Sequence, residues 1–456
     1  MKKFLIILSL ILFAQAVYAI DVVYPTKNIV TVNSPSTFFA GSSNPKEILL
    51  INGVQVNIHS TGGFAHVVQL EEGENKFVLQ SGDELKTFII NRPAKSMFKG
   101  YTAPKLVEYN YKKLFLTSSD NAPLRSTPVN SGINRMSHFE KDIPLTVDAE
   151  ISDFYRVVLG ENKKAWIAKT NVKAFAGYLN SPAVLAGYDS VDDPQYYKFV
   201  FHLDKKTPYE MIEGENFVLK FYNVKDCPDN TYEFNFPYTE TAGTSKLAGY
   251  SGSYEGNDFV LKIRKFPKID EKHPLKNITI TLDPGHGGNE SGATGCCGHK
   301  EKDINLAIAK FLRAELHKRG AKVVMTRSDD RYTGLRERVD IANENDSMFL
   351  ISIHGNSVGD GADPNKHRGT SIYFYYNQAK LLAANILIEM NKQLETRNDN
   401  IRRGSLALVR NTNALSILIE VAYLINPEDN AMLIDEQFQK RCAKAIADGI
   451  EKFLTD

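Results

Sequence analysis

Cysteine is scarce: Cys227, Cys296, Cys297 and Cys442 are the four in 456 residues. That excludes a disulfide-stapled scaffold, and the spacing fits no four-cysteine zinc site. Cys296 and Cys297 are adjacent, where a bridge is strained, and the sequence leaves any pairing among the four open. An excess of either charge is also missing, since 55 Lys plus Arg face 54 Asp plus Glu. This balance gives no electrostatic footprint for nucleic acid or an anionic membrane surface. No run approaches the roughly 20 apolar residues of a membrane-spanning helix. Tryptophan occurs once, at Trp166 within Ala165-Trp166-Ile167. A lone aromatic in such a strand is expected to be core packing rather than a ligand-stacking residue.

The first nineteen residues differ from the rest. Lys2 and Lys3 precede the apolar run Phe4 to Phe13, and Val17-Tyr18-Ala19 follows. This is the pattern of a cleaved signal peptide over residues 1–19. The apolar run breaks at Gln15, too early for an anchor, and no cysteine near the cleavage point offers lipid attachment. An exported mature chain without a transmembrane segment is expected. At roughly 100–200 residues per domain, three or four domains are expected in it.

Residues 20–95 alternate short apolar segments with turn residues. Glu47 to Ile51 runs into Asn52-Gly53, a hairpin signal. We read a small antiparallel sandwich, similar to immunoglobulin-like modules of secreted bacterial proteins. Residues 99–175 form a second β unit. Leu124 to Pro128, Ile143 to Val147 and Ala165 to Ile167 are spaced as in a bacterial Src-homology-three-like barrel, which this segment resembles. Residues 177–265 are β-rich again, with period-two alternation over Tyr197 to Leu203 and Asn216 to Tyr222. They resemble the AMIN modules found upstream of cell-wall amidases, which implies envelope localisation. The three modules are expected to position the protein, through envelope partners, rather than to catalyse.

A charged linker, Pro267 to Pro274, precedes a change of pattern. From 276 to 456, apolar strands alternate with helical spacing. Lys302 to Arg319 carries Ile304, Ile308, Phe311 and Leu312 on one face and ends before Gly320. Gln378 to Leu394 and Glu436 to Phe453 read as helices for the same reason. This predicts an α/β domain large enough for its own core.

Its polar groups cluster at strand ends: Asp283-Pro284-Gly285-His286-Gly287-Gly288, Glu301-Lys302-Asp303 and Ser352-Ile353-His354-Gly355-Asn356. Two His and one Glu are the ligand types of an open catalytic zinc site, whose fourth position is left for water. Singly, each His also fits a packed or capped residue. Glu420 lies inside the apolar run Ile417 to Ala422, where a carboxylate needs either a partner or a catalytic role.

Further stretches follow in order: SGATG at 291–295, EKDINLAIA at 301–309, TRSDD at 326–330, LRERVDIAN at 335–343, SIHGNS at 352–357 and LIEVAYLINPED at 418–429. On these motifs residues 278–454 resemble the zinc-dependent N-acetylmuramoyl-L-alanine amidase family known as amidase type 3. The resemblance implies a central mixed sheet flanked by helices. It implies zinc held by His286, Glu301 and His354, with Glu420 as catalytic acid and base. It implies peptidoglycan as substrate, cut between N-acetylmuramic acid and L-alanine. The chain departs from the family at Glu290-Ser291 and at Leu415, neither a ligand position. Asn356 and Arg410 are candidate substrate contacts, Arg410 for stem-peptide carboxylates. The alternative for Arg410 is a solvated surface charge. Ser357 to Arg368 contains Gly359, Gly361 and Pro364 and reads as a short loop, without room for the blocking helix of some family members. A zinc peptidase cutting within stem peptides and a non-catalytic wall-binding protein are the rival readings. Periplasm is favoured over the cell exterior.

Overall fold

The computed structural model describes residues 20–94, 103–176, 181–237 and 246–456. The expected signal peptide at 1–19, and the segment ends at 95, 99–102 and 177–180, lie outside them. Residues 20–94 fold as two facing sheets, of three and five strands. The strands Leu49–Ile51 and Val54–Val56 are joined by Asn52 and Gly53, both with left-handed φ, 49° and 80°. That is the geometry that Asn-Gly supplies to a two-residue hairpin. Inward residues such as Phe39, Leu49, Phe64, Leu79 and Ile90 form the sandwich core.

The next seven strands form one sheet from Val107 to Ala174. Residues 181–264 add a four-stranded and a three-stranded sheet. These two units share one continuous apolar core, with the Phe139 and Tyr209 rings 5.5 Å apart across their junction. Trp166 corrects the expectation of core packing. Its neighbours Ala165 and Ile167 are buried, so strand alternation turns Trp166 outward, beside Arg156 and Arg125 of the adjoining strands.

The C-terminal domain is a six-stranded mixed sheet in the order Lys322–Met325, Thr279–Pro284, Phe349–Asn356, Leu415–Tyr423, Thr370–Phe374, Asn398–Arg403. The first four strands run parallel, and Thr370–Phe374 is antiparallel to its neighbour Leu415–Tyr423. The central parallel strands are rich in Ile and Leu and buried on both faces, as expected where both faces are covered. Helices Glu301–Lys318, Lys380–Gln393 and Glu436–Thr455 contribute Ile308, Leu312, Ile386, Ile446 and Ile450 to the core. Helices Leu335–Glu344 and Pro427–Leu433 complete the domain. No helix among the described residues is long and apolar enough to cross a membrane.

Residues 357–368 form a loop with turns and no helix. The N-terminal sandwich docks on it. Tyr24 Oη and Thr37 Oγ1 both donate to Asp360 Oδ1 at 2.6 Å, and Gly361 N donates to Ser36 O at 3.0 Å. Asn365 Nδ2 donates to Ala65 O at 3.1 Å, while Phe38, Ala40 and Ala65 pack with Ile425 of the C-terminal domain.

Candidate metal centre

The parallel strands bring four side chains to one end of the sheet, where open α/β folds place their ligands. His286 follows the strand Thr279–Pro284 by two residues and has a left-handed φ of 59°. His354 lies in the strand Phe349–Asn356. Glu301 opens a helix, where the N-terminal dipole favours a carboxylate. Glu420 sits beside His354 in the parallel register. Gly285 makes the close approach possible: a Cβ there would fall 2.2 Å from His354 Cε1.

Glu301 Oε1 is 3.2 Å from His286 Nε2 and 2.9 Å from His354 Nδ1. The ligand atoms of the three residues all lie within 4.8 Å of one another. Bonds of about 2.0–2.1 Å to a tetrahedral ion require ligand edges of about 3.3 Å; the two edges to Glu301 Oε1 are close to that length, and two His with one Glu are donor types suited to zinc. Burial pushes the Glu301 carboxyl up, but hydrogen bonds from the two imidazoles outweigh it and hold the group well below the ordinary carboxylate range. Its other oxygen accepts from Ala293 N at 2.7 Å, which fixes the carboxylate plane.

Glu420 has a different environment. Its Oε2 is buried and has no hydrogen-bond partner. Burial pushes this carboxyl from 4.5 to about 7, with His354 pulling it back and Glu301 adding to the rise. A carboxyl of that kind exchanges a proton near neutral pH.

Compared with known families, residues 280–452 match the one described as N-acetylmuramoyl-L-alanine amidase. That match lies within the C-terminal domain and includes His286, Glu301, His354 and Glu420. A probable cell wall amidase of Staphylococcus aureus, LytH, is 34% identical over 187 residues, covering 41% of this chain and 61% of the relative. The chain thus spans about three fifths of the length of the curated relatives it matches. Among solved structures, the amidase AmiC2 of Nostoc punctiforme shows 33% identity over 41% of this chain and 100% of its own, with a TM-score of 0.38. The catalytic domain of CwlV from Bacillus (Paenibacillus) polymyxa var. colistinus shows 35% identity over 39% of this chain and 98% of its own, with a TM-score of 0.37.

The other candidate residues of the amidase domain divide. Asn356 stands two residues beyond His354, half-buried, and its Oδ1 accepts from Ser357 N at 2.8 Å. Arg410 is not brought to the centre. It lies before the other end of the strand that carries Glu420, and its Nη1 donates to Ser405 O at 2.7 Å. Its charged neighbours are Arg135 and Arg125 of the second β unit. The placement of Arg410 follows from strand direction: its segment enters the sheet at the end remote from Glu420.

Sequence reasoning passed over the residues that shape the His286 loop. Arg327 is fully buried and donates to Pro284 O and Gly285 O, both at 2.9 Å, and to Lys302 O at 2.8 Å. Arg338 donates to Pro284 O and His286 O at 2.9 Å and to Asp283 Oδ1 at 2.7 Å. Asp283 is completely buried and also accepts from Thr326 Oγ1 and Ser352 Oγ at 2.6 Å. Two guanidiniums therefore satisfy three successive carbonyls of a loop that has no ladder of its own. Both arginines lie in the stretches TRSDD and LRERVDIAN, yet no local pattern marks them as buried cations.

Proposed function

We propose that the protein is an exported hydrolase that uses zinc to cleave the amide between N-acetylmuramic acid and L-alanine of peptidoglycan. The observation that carries this reading is the buried, partnerless Glu420 oxygen beside a His-Glu-His donor set. A carboxyl poised near pH 7 with no structural partner is suited to move protons. The family match supports the choice of bond.

His286, Glu301 and His354 would hold zinc, which when bound supplies a water of lowered pKa and polarises a carbonyl. Glu420 accepts the proton of the attacking water and returns it to the departing L-alanine nitrogen. Arg327 and Arg338 keep the His286 loop in place through its carbonyls. Asn356, beside the centre, is the substrate contact we retain. The upstream units, read as immunoglobulin-like, Src-homology-three-like and AMIN-like, would hold the enzyme at the wall through envelope partners, with the periplasm as its compartment.

The test is digestion of purified sacculi by the zinc-loaded chain, with mass spectrometry of the products. Free stem peptides beginning at L-alanine support the proposal. Cuts within stem peptides would make it a zinc peptidase, and binding without any cleavage a wall-binding protein.

A further inference from the structure

The seam between the N-terminal sandwich and the amidase domain holds two thiols that the amide chemistry does not use. Cys296 is buried and Cys297 half-buried, in the loop leading to the Glu301 helix, with their Sγ atoms 4.0 Å apart. The sandwich covers them: Cys297 Sγ lies 4.0 Å from Thr61 O. A Cβ on Gly63 would fall 2.7 Å from Cys296 Sγ and 3.1 Å from Cys297 Sγ. Gly63 opens a regular strand and is not among the glycines with left-handed φ. Room for the two sulfurs, not backbone geometry, is what excludes a side chain there. The remaining thiols are elsewhere, Cys442 inside the amidase core and Cys227 packed against the apolar core of the β-rich units.

We propose that Cys296 and Cys297 form a thiol–disulfide site in this seam, closed to a vicinal disulfide by a low-molecular-weight disulfide and reopened by thiols. Cys297 is the attacking group. The contact with Cys296 lowers its thiol to about 7, against the upward push of burial. Its thiolate attacks the small disulfide, forms a mixed disulfide and releases one small thiolate, which takes up the Cys297 proton. Cys296 sulfur then attacks Cys297 sulfur, expels the second small thiolate and gives up its own proton. Two hydrogens leave the protein, and one small disulfide becomes two thiols. Exported compartments sustain such bonds.

The bond carries a structural consequence. A disulfide holds its sulfurs about 2 Å apart, so closure draws them together by roughly 2 Å. Closure moves the sulfurs from the positions in which they meet Gly63 and Thr61. Adjacent cysteines also make a strained ring, which thiols reopen readily. The oxidised protein therefore has a looser seam.

The test takes the full chain, reduced and freed of reductant, and adds oxidised glutathione as the probe. We expect a chain lighter by two hydrogens, two of the four thiols lost, and a bridge mapping to residues 296 and 297. Hydrogen exchange at residues 59–65 should rise. Cys297→Ser should abolish the bridge, and Cys227→Ser should leave it unchanged. Four surviving thiols, a stable glutathione adduct on Cys297 or a bridge elsewhere would overturn the site. A bridge with unchanged exchange at residues 59–65 would overturn its coupling to the seam. None of these readouts depends on amidase activity.

Discussion

Glu420→Gln keeps the shape of the side chain and removes its capacity to accept a proton. General acid–base catalysis contributes about 10²–10⁴-fold, or about 3–5 kcal/mol of barrier. Turnover should fall by that factor while zinc binding persists. The same change acts on stability in the metal-free protein. Burial raises the Glu420 carboxyl from 4.5 to about 7 in the folded state. The unfolded chain therefore releases this proton first, and folding loses stability as pH rises from about 4.5 to 7. At about 1.4 kcal/mol per pH unit, the full cost above pH 7 is about 3 kcal/mol. The residue keeps some exposed surface, which makes this an upper figure. Gln carries no such cost. Denaturant titrations of the metal-free proteins should show the variant gaining on the parent between pH 5 and pH 8. A variant with near-parental kcat, or one that gains nothing across that range, would refute the role assigned to the buried oxygen.

Other perturbations reach the scaffold and the metal. Asp283→Ala leaves the buried Arg338 guanidinium without its carboxylate, a loss of about 3–5 kcal/mol; thermal melting should show a large fall in Tm, and an unchanged Tm would contradict the clamp. Asp360→Ala removes the acceptor of Tyr24 and Thr37, and with Asp360 exposed the cost should be about 1–2 kcal/mol. Hydrogen exchange in residues 357–368 should rise in that variant, and unchanged protection would show that the docking does not order the loop. Chelation should abolish activity and added zinc restore it. Zinc affinity should fall as pH drops, because the ligands bind the metal only when deprotonated, and a flat pH profile would argue against a histidine site.

Local chemistry made part of this molecule legible in advance. Asn52-Gly53 predicts a hairpin because two left-handed residues in succession are what that turn demands. The apolar spacing of Lys302 to Arg319 marks a helix because one face must meet the sheet, and the structure forms it at Glu301–Lys318. The mixed sheet of the C-terminal domain followed from the motif series. Tertiary facts were not legible. The polar strand Asn398–Arg403 lies at the sheet edge, where no apolar signal is required. Arg327 and Arg338 are buried because loop carbonyls await them, and those carbonyls come from segments far away in sequence. Trp166 faces outward because of strand phase, which a lone aromatic does not reveal. The docking of residues 24–37 on Asp360 joins positions more than 300 apart.

The most direct test of the hydrolase reading uses a defined N-acetylmuramoyl-L-alanyl peptide, digested by the zinc-loaded chain in heavy-oxygen water. One cleavage is expected, with the heavy oxygen in the lactyl carboxylate of the sugar and an unlabelled peptide bearing a free L-alanine amine. Label in a peptide carboxylate, or an intact substrate after zinc loading has been verified, would contradict it.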